Sequence, residues 1–402
     1  MTPARGSSRS WVGPLLATLA LQATAAFLGR VIPTLAPAFS REFGWSETAV
    51  GYLAGLGTAG SIVFLVVGHP LIRRVGPIRV LQYGLALGAI GAILLAWPTV
   101  ALAAVASFLI GLGYGPSAPA GSDILQRYAP ARHRNLVFSI KQAGVPAGGV
   151  LAGISLPRLL EIGGWNATLA FTVSVVLLTI VTVQPLRHRT DADRDNRRIT
   201  PGAFFTYGNL MMPLSVLQAT PELKRLGFVG ACLAVGQGCW ISFLVTYLVV
   251  QLDMSLASAG VVFAVMQVTG VPGRVGLGFL ADRLGSGRGV LIGVAIASAA
   301  TSTLLAVTSP SWPTWSLVLL SGAAGISVSS WNGLQVAEIA RHAPAHRISE
   351  AASGATLLIF AGYVLGPSAF AALVALTGRF DLAFLVAGVA TLLAVAGLLK
   401  VR

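Results

Sequence analysis

The sequence predicts an all-α polytopic membrane protein with twelve transmembrane helices in two six-helix bundles. Its composition excludes a soluble globule: 55% of the 402 residues are hydrophobic and 10% are charged, whereas soluble domains carry about 25% charged residues. Apolar runs long enough to cross a bilayer follow one another along the chain, and the second half repeats motifs of the first. These three observations indicate the fold class before any single residue is considered.

Twelve apolar runs reach the length of about 20 residues that a membrane-spanning helix requires. They lie at about 12–38, 47–68, 79–97, 100–124, 136–159, 165–186, 226–250, 256–280, 289–308, 313–337, 349–376 and 380–400. The first run follows Arg5 and Arg9, as a secretory signal would, but it is longer than the roughly 7–15 apolar residues of such a signal. We therefore interpret it as the first transmembrane helix.

Lysine and arginine residues are concentrated in every second loop between these runs. The basic loops contain Arg73, Arg74, Arg79, Arg127, Arg132, Arg134, Arg187, Arg189, Arg194, Arg197, Arg198, Lys224, Arg225, Arg283, Arg288, Arg341 and Arg347. The alternate loops contain Arg41, Arg158 and Arg379. We expect an integral protein of the plasma (cell inner) membrane. Because basic loops face the cytoplasm, both termini and the long middle loop should lie on its cytoplasmic side. The net charge of +14 then reflects membrane topology and not nucleic-acid binding.

An internal repeat relates the two halves of the chain. The stretch Gly278–Gly285 (GFLADRLG) has a degenerate counterpart that ends at Gly76, 209 positions before Gly285. Gly51 and Gly260 share this offset, and a constant offset over a helix and its loop indicates duplication. We therefore expect three parts: an N-terminal bundle at 1–186, a cytoplasmic linker at 187–223 and a C-terminal bundle at 224–402.

The chain resembles the major facilitator superfamily in its six-plus-six helices, its long central loop and the pattern Gly-x-x-x-Asp-Arg-x-Gly after the eighth helix. The resemblance covers nearly the whole chain and implies a secondary active transporter of a small molecule. In that family two bundles flank a central cavity, which helices 1, 4, 7 and 10 line with help from helices 2, 5, 8 and 11. Rocking of the bundles gives alternating access. We expect a monomer in the lipid bilayer, without a cofactor.

The same resemblance predicts a conformational latch. It consists of Gly278, Asp282, Arg283 and Gly285, with Arg73 and Gly76 as the first-half counterpart. In the family this loop closes the cytoplasmic side while the cavity faces outward, and a carboxylate at its apex can accept N–H groups from a helix N-terminus. Arg73 stands where the family usually has aspartate, and a cation cannot accept such bonds. We therefore predict a latch that works from one side.

Three cations fall well inside the predicted spans: Arg30 on helix 1, Lys141 on helix 5 and Arg274 on helix 8. A charge near the bilayer centre costs about 2.5–3.5 kcal/mol on insertion scales, so such residues are functional candidates. No Asp or Glu lies equally deep in the sequence pattern. Cations without acidic neighbours suit a small anion, because arginine offers a carboxylate a planar pair of donors and lysine offers a point charge.

A weaker resemblance, to the monocarboxylate and oxalate transporters of the superfamily, implies that Arg274 binds the carboxylate of the substrate. Other roles stay open for all three cations. Arg30 can pair with backbone carbonyls near Pro33 and Pro37, Arg274 can bridge to helix 4 or 5, and Lys141 can extend to the cytoplasmic edge. Neutral groups complete the predicted binding site: Gln237 and Trp240 on helix 7, and Asn332 on helix 10.

The leading functional prediction is a secondary active transporter of a small organic anion such as a carboxylate, working by proton symport or anion exchange. The alternative is a proton-driven multidrug or metabolite efflux antiporter, which requires an acidic cavity residue that the sequence does not show. No nucleophile–base pair or metal-ligand spacing in the sequence points to an enzyme, a cofactor or a metal.

Overall fold

The computed structural model describes residues 11–97, 99–130, 133–192, 215–344 and 347–401, and this part of the chain is helical without any strand. Its α-helices are α1 Val12–Leu28, α2 Val31–Phe43, α3 Ala49–Val67, α4 His69–Val75, α5 Pro77–Leu94, α6 Val100–Tyr114, α7 Ser117–Tyr128, α8 Arg134–Gln142, α9 Gly144–Val183, α10 Arg187–Thr190, α11 Pro221–Val250, α12 Leu256–Leu284, α13 Gly287–Ala306, α14 Thr314–Ser327, α15 Asn332–His342, α16 Ile348–Thr377 and α17 Phe380–Leu399. The predicted all-α class is confirmed.

Eleven segments of the described chain are long and apolar enough to cross a membrane. One of them, Val137–Thr190, has 54 residues. At 1.5 Å per residue it measures about 80 Å, far more than a hydrocarbon core of about 30 Å. Gly164, with φ 68° and ψ −168°, interrupts this segment. The segment therefore supplies two spans, and the total is twelve, as the sequence predicts.

We number the spans 1 to 12 along the chain. Span 1 comprises α1 and α2; span 2, α3; span 3, α5; span 4, α6 and α7; span 5, α8 and α9 up to Gly164; span 6, the rest of α9; spans 7, 8 and 9, α11, α12 and α13; span 10, α14 and α15; spans 11 and 12, α16 and α17. The end of the bundle that carries Arg73 and Arg283 is called the basic face, and the end that carries Arg41 and Arg379 the opposite face. That the basic face is cytoplasmic stays a prediction.

Spans 1, 4 and 10 are interrupted near their middle. The breaks lie at Gly29–Arg30, at Gly115–Pro116 and at residues 328–331. The break in span 4 follows from Pro116, which has no N–H to continue the helix and whose ring crowds the preceding turn. Interrupted helices leave carbonyl oxygens without helical partners, and in membranes such backbone is tolerated where it lines a cavity or is buried in protein.

Helices pack mainly within each half of the chain. In the first half, span 1 packs on α9, and span 4 packs on spans 2 and 3; in the second, span 7 packs on spans 11 and 12, span 8 on span 10, and span 9 on span 12. Contacts between the halves join α9 to span 8, span 2 to span 11, and α2 to span 7. We keep 1–186 and 224–402 as the proposed limits of the bundles, with 187–223 as the linker.

At the opposite face the halves approach each other through glycine. A Cβ on Gly51 of span 2 would overlap the Pro367 carbonyl oxygen of span 11, and a Cβ on Gly260 of span 8 would overlap the Gly153 carbonyl oxygen of span 5. Such close approach of backbones requires small residues. We call these two contacts the glycine seams. Because Gly51 and Gly260 are related by the sequence repeat, the duplication placed the same residue in both seams.

Asp191 attaches the start of the predicted linker to the first half. Its carboxylate accepts the N–H groups of Ile78 at 3.0 Å and Arg79 at 3.1 Å, at the beginning of α5. Gly76, just before them, has φ 99°, a conformation that favours glycine. Burial raises the pKa of the Asp191 carboxyl, and the two N–H groups act in the opposite direction. Asp191 thus caps the beginning of α5 within the first half.

Candidate functional site

A cavity of about 770 Å³ lies between the two halves of the protein. Its lining comes from spans 1, 2, 4, 5, 7, 8, 10 and 11, the helices that the family resemblance implies. Ile140, Val275 and Val336 form exposed walls toward the basic face, so the cavity opens there. The glycine seams close the other side. The volume is within the range of small-molecule sites, about 300–1,000 Å³.

Arg30 reaches the cavity from the break between α1 and α2. Its own N–H bonds to the Phe27 carbonyl at 3.0 Å, which tightens the chain at the end of α1. The Nε of its guanidinium group is buried without a hydrogen-bond partner. The predicted alternative, in which Arg30 pairs with carbonyls near Pro33 and Pro37, is not found in the part of the chain that the structure describes.

Arg274 lines the same cavity from span 8, and each of its three guanidinium nitrogens donates a hydrogen bond to a main-chain carbonyl oxygen. Nε and Nη2 donate to the Ser329 carbonyl oxygen at 3.4 and 3.3 Å. Nη1 donates to the Gln142 carbonyl oxygen at 3.1 Å. Ser329 lies in the break of span 10, and Gln142 is the last residue of α8. Arg274 therefore uses carbonyls at helix ends and joins the two halves, which is the bridge to helix 5 that the sequence left open.

The electrostatic character of the cavity is positive. Arg30 and Arg274 line the same cavity together with Tyr114 and Tyr363, and we call these four side chains the cluster. Among the described residues that line the cavity there is no Asp or Glu. In a medium of low dielectric constant, charges without counter-ions act strongly on a ligand. The cluster can therefore attract an anion and repel a cation.

Amide side chains supply hydrogen-bonding groups beside the arginines. Gln22 donates from Nε2 to Gln142 Oε1 at 2.8 Å, and Gln237 Oε1 accepts the Tyr363 hydroxyl at 2.7 Å. Asn332 Oδ1 is buried and has no hydrogen-bond partner within the described ranges. Gln237 and Asn332 therefore lie on the cavity wall, where the sequence analysis placed them.

Trp240 does not line the cavity, in contrast to the sequence-based expectation. Its side chain is fully buried, Nε1 donates to Ser302 Oγ at 2.9 Å, and the ring meets Phe384 edge-on with centroids 5.9 Å apart. The physical reason is the direction of the side chain. Span 7 presents Gln237 and Ile241 to the cavity, whereas position 240 faces spans 9 and 12.

Lys141 also lies outside the cavity lining. Only 2% of the residue is exposed, and its side chain packs against Gly121 of α7. The helix α8 turns this position toward span 4 instead of toward the space between the halves. Lys141 therefore contacts neither the cavity nor, by extension of its chain, the edge of the membrane.

The predicted latch residues are apart in this conformation. Asp282 and Arg283, near the end of α12, are exposed, and so is Arg73 on α4. Gly285 ends α12 in the left-handed region with φ 63°, and a side chain at Gly278 would meet open space. Among the described residues, no hydrogen bond or ion pair of Asp282, Arg283 or Arg73 joins the two halves.

The broken helices and the part played by Ser329 are not apparent from the apolar pattern of the sequence. Two signals in the sequence could have found them. Gly29 interrupts an apolar run directly before Arg30, and the serine-rich stretch 327–330 interrupts the run of span 10. Interruptions at corresponding depths of two helices point to a binding site in transporters built from repeats.

The sequence profile of the Major Facilitator Superfamily matches residues 15–353. The chain belongs to this superfamily. An uncharacterised MFS-type transporter of Mycobacterium tuberculosis (strain CDC 1551 / Oshkosh) is 27% identical over 335 residues, which are 82% of this chain and 72% of that protein. A 4-hydroxybenzoate transporter of Pseudomonas aeruginosa is 23% identical over 274 residues, 62% of this chain and 61% of that protein.

Among solved structures, a bacterial homologue of the human lysosomal transporter Spinster, in an inward-facing and unoccupied conformation, superposes with a TM-score of 0.74. The two chains are 19% identical, and the match covers 99% of each. At this identity the likeness concerns the fold. Together with the family, it confirms the predicted architecture and shows that this MFS protein is a multi-pass membrane transporter.

Proposed function

We propose that this MFS protein is a secondary active transporter of small organic anions, carboxylates above all, in the plasma membrane. The observation that carries the proposal is the central cavity, which holds Arg30 and Arg274 and has no carboxylate in its described lining. Each buried cation costs about 2.5–3.5 kcal/mol on insertion scales. A bound anion offsets that cost, so the cavity favours a negatively charged substrate.

Four of the predicted binding residues contribute to this site in complementary ways. Arg30 and Arg274 supply the positive field, while Gln237 and Asn332 offer neutral hydrogen-bonding groups. The remaining wall is largely apolar, as is usual for sites that bind small organic molecules. A substrate with one charged end and an apolar body matches this lining.

Among relatives, the 4-hydroxybenzoate transporter of Pseudomonas aeruginosa carries the name of an aromatic carboxylate. Its substrate is a small anion with an apolar ring, the kind of molecule that the cavity described here would accommodate. The relation supports the chemical class of the cargo and leaves the individual substrate of this chain to experiment.

Alternating access follows from the two faces of the cavity. The glycine seams close the opposite face, and the cavity opens toward the basic face; with the basic face in the cytoplasm, this is an inward-facing state. We propose that Asp282 and Arg283 contact the other bundle in the outward-facing state. Gly278, Gly285 and Gly76 shape the loops of this latch, and Arg73 leaves the first-half copy without an acceptor.

Coupling in this scheme does not require an acidic residue in the cavity. In proton symport the proton would travel on the substrate carboxyl group, and in exchange a second anion would return through the same site. The rival function, proton-driven efflux of drugs or metabolites, lacks support because the described lining offers no carboxylate to carry the proton. Imposing a pH gradient or an internal anion on vesicles separates symport from exchange.

The test is uptake of labelled carboxylates into proteoliposomes that contain the purified protein. We expect saturable uptake of benzoate or butyrate, inhibition by other carboxylates, and no effect of the neutral amides benzamide and butyramide. Arg30→Gln and Arg274→Gln should each reduce uptake at least tenfold, about the effect of losing one charge-assisted contact. Arg41→Gln, at an exposed arginine of the opposite face, is the matched control. Uptake at the wild-type rate in both cavity variants contradicts the proposal.

A further inference from the structure

The two arginines of the cavity differ in how their donors are used. All three guanidinium nitrogens of Arg274 donate to main-chain carbonyls, whereas the Nε of Arg30 is buried without a hydrogen-bond partner in the described chain. We propose that Arg30 receives a single carboxylate of the substrate and that Arg274 is a positioning residue that ties the two halves together. The inference rests on the proposed function and assigns separate roles within that site.

Arg30 has the properties of a side chain that binds a carboxylate. Its Nε is buried and unpaired, which is costly for a polar group and especially for a charged one. The residue sits at the joint of span 1, where the cavity wall is formed by the ends of two helices. A carboxylate can pair with two guanidinium N–H groups at once, and this satisfies both the charge and the hydrogen bonds. A bound carboxylate therefore supplies the acceptor that the Nε of Arg30 lacks.

Arg274 belongs to a line of contacts between spans 5 and 8. From the opposite face toward the basic face, these contacts are Gly153 with Gly260, Gly149 with Gln267, and Gln142 with Arg274. The order is antiparallel, so the Arg274 bond is the last contact of a glycine seam. Opening the cavity toward the opposite face requires these spans to separate. The bond from Arg274 to the first half therefore stabilises the conformation that is open at the basic face.

This division of roles narrows the class of substrate. The Nε of Arg30 has no acceptor, whereas each guanidinium nitrogen of Arg274 already donates to a carbonyl oxygen. A second negative charge would meet only the N–H groups of Arg274 that its carbonyl bonds leave over, and it would otherwise have to be desolvated against apolar walls. Monocarboxylates with an apolar body are therefore preferred over dicarboxylates of similar size.

Ligand affinity tests the role of Arg30. The probes are benzoate against terephthalate and butyrate against succinate, with binding to the purified full-length protein measured by calorimetry. We expect the monocarboxylate of each pair to bind more tightly, Arg30→Gln to weaken it about 10- to 100-fold and Arg30→Lys to weaken it less. Arg274→Gln, which keeps the Arg30 guanidinium group but removes one of the two positive charges of the cavity, should weaken binding less than Arg30→Gln does, and Arg41→Gln should leave the affinity unchanged.

The outcomes separate the two proposals. If none of the four probes binds the wild-type protein, the proposed anion transport fails and this inference fails with it. If the probes bind the wild type and Arg30→Gln equally, or if the dicarboxylates bind more tightly, anion transport stands. The proposal that Arg30 binds a single carboxylate of the substrate is then wrong.

A distance measurement without ligand tests the role of Arg274. Spin labels at Arg74→Cys and Lys224→Cys, both exposed positions on different halves of the basic face, report how far that face is open. The two native cysteines are buried and do not take the label. We expect Arg274→Gln to move the population toward shorter distances and Arg30→Gln to leave it unchanged. An unchanged distance distribution in Arg274→Gln contradicts the proposal that Arg274 ties the two halves together.

Discussion

The two faces of this transporter are built from different interactions. At the opposite face the halves meet through backbone, with Gly51 and Gly260 in direct contact with the other half. At the basic face the conspicuous residues are charged, and Asp282 and Arg283 stand exposed. Packing contacts change steeply with atomic separation, whereas charge contacts act at longer range and are screened by salt. One gate should therefore respond to side-chain volume, and the other to charge and ionic strength.

The largest effect is expected from adding volume to the glycine seams. The double variant Gly51→Ala and Gly260→Ala places a methyl group against a carbonyl oxygen of the other half at both seams, where only backbone movement could relieve the overlap. Overpacking of this kind costs about 1–3 kcal/mol per site. We expect the protein to remain open at the opposite face and uptake of labelled benzoate to fall at least tenfold.

The matched control for the seams is Gly293→Ala on span 9, where an added Cβ meets nothing within 4 Å. It introduces the same methyl group into a helix of the same bundle without touching the other half. Uptake in this variant should equal that of the wild type. Full uptake in the double seam variant would show that the opposite face does not need glycine in order to close.

A smaller effect is expected from neutralising the latch. Asp282→Asn removes the carboxylate that would accept N–H groups of a helix N-terminus, an interaction worth about 0.3–1 kcal/mol at an exposed site. The population open at the basic face should rise about two- to fivefold, and the difference from wild type should shrink in 1 M salt. Cysteine accessibility at Arg74→Cys measures this population.

Glu161→Gln, at an exposed carboxylate of the opposite face, serves as the control for Asp282→Asn. It changes the net charge by the same amount at the face that packing closes. Equal shifts in the two variants would mean that overall charge, and not a contact of Asp282, governs the equilibrium.

The smallest effect is expected at Asp191, which holds the start of α5 and contacts neither the cavity nor the seams. Asp191→Ala should lower the free energy of unfolding by about 1 kcal/mol, since two N–H groups lose their acceptor. Because burial raises the pKa of this carboxyl above its unfolded value, the folded protein binds the proton more tightly. Its proton-linked stabilisation is complete below the unfolded pKa and is lost as the pH rises through the folded pKa.

Thermal unfolding of Asp191→Asn between about pH 3 and pH 6 isolates this dependence, because the amide does not titrate in the range where carboxyl groups do. The variant should show a flatter pH profile than the wild type. Parallel profiles for wild type and Asp191→Asn would exclude the linkage.

The sequence predicts the architecture well because the bilayer imposes simple rules. Length and hydropathy indicate twelve spans, and the structure and the family confirm them. The repeat offset that pairs Gly51 with Gly260 also has a structural counterpart, since both glycines lie in the seams. These features depend on local composition and on duplication, which are visible in a single sequence.

The details of the site depend on helix rotation and on breaks, which apolar periodicity does not report. Trp240 and Gln237 are three residues apart on one helix, yet only Gln237 lines the cavity. In an apolar helix that is buried on most sides, no polar stripe marks the face that a ligand would meet. Similarly, Arg274 can be recognised as a deep cation, but its acceptors, the carbonyl oxygens of Ser329 in the break of span 10 and of Gln142 at the end of α8, cannot be recognised from the sequence.

The interruption at Arg30 gives the first span the form of two rigid arms joined at an elbow. The lower arm, α1, is fastened to α9 of its own half, and the upper arm, α2, rests on span 7 of the other half. A ligand that binds the Arg30 side chain also sets the angle between α1 and α2. Binding at Arg30 thereby changes the geometry of a span that contacts both halves.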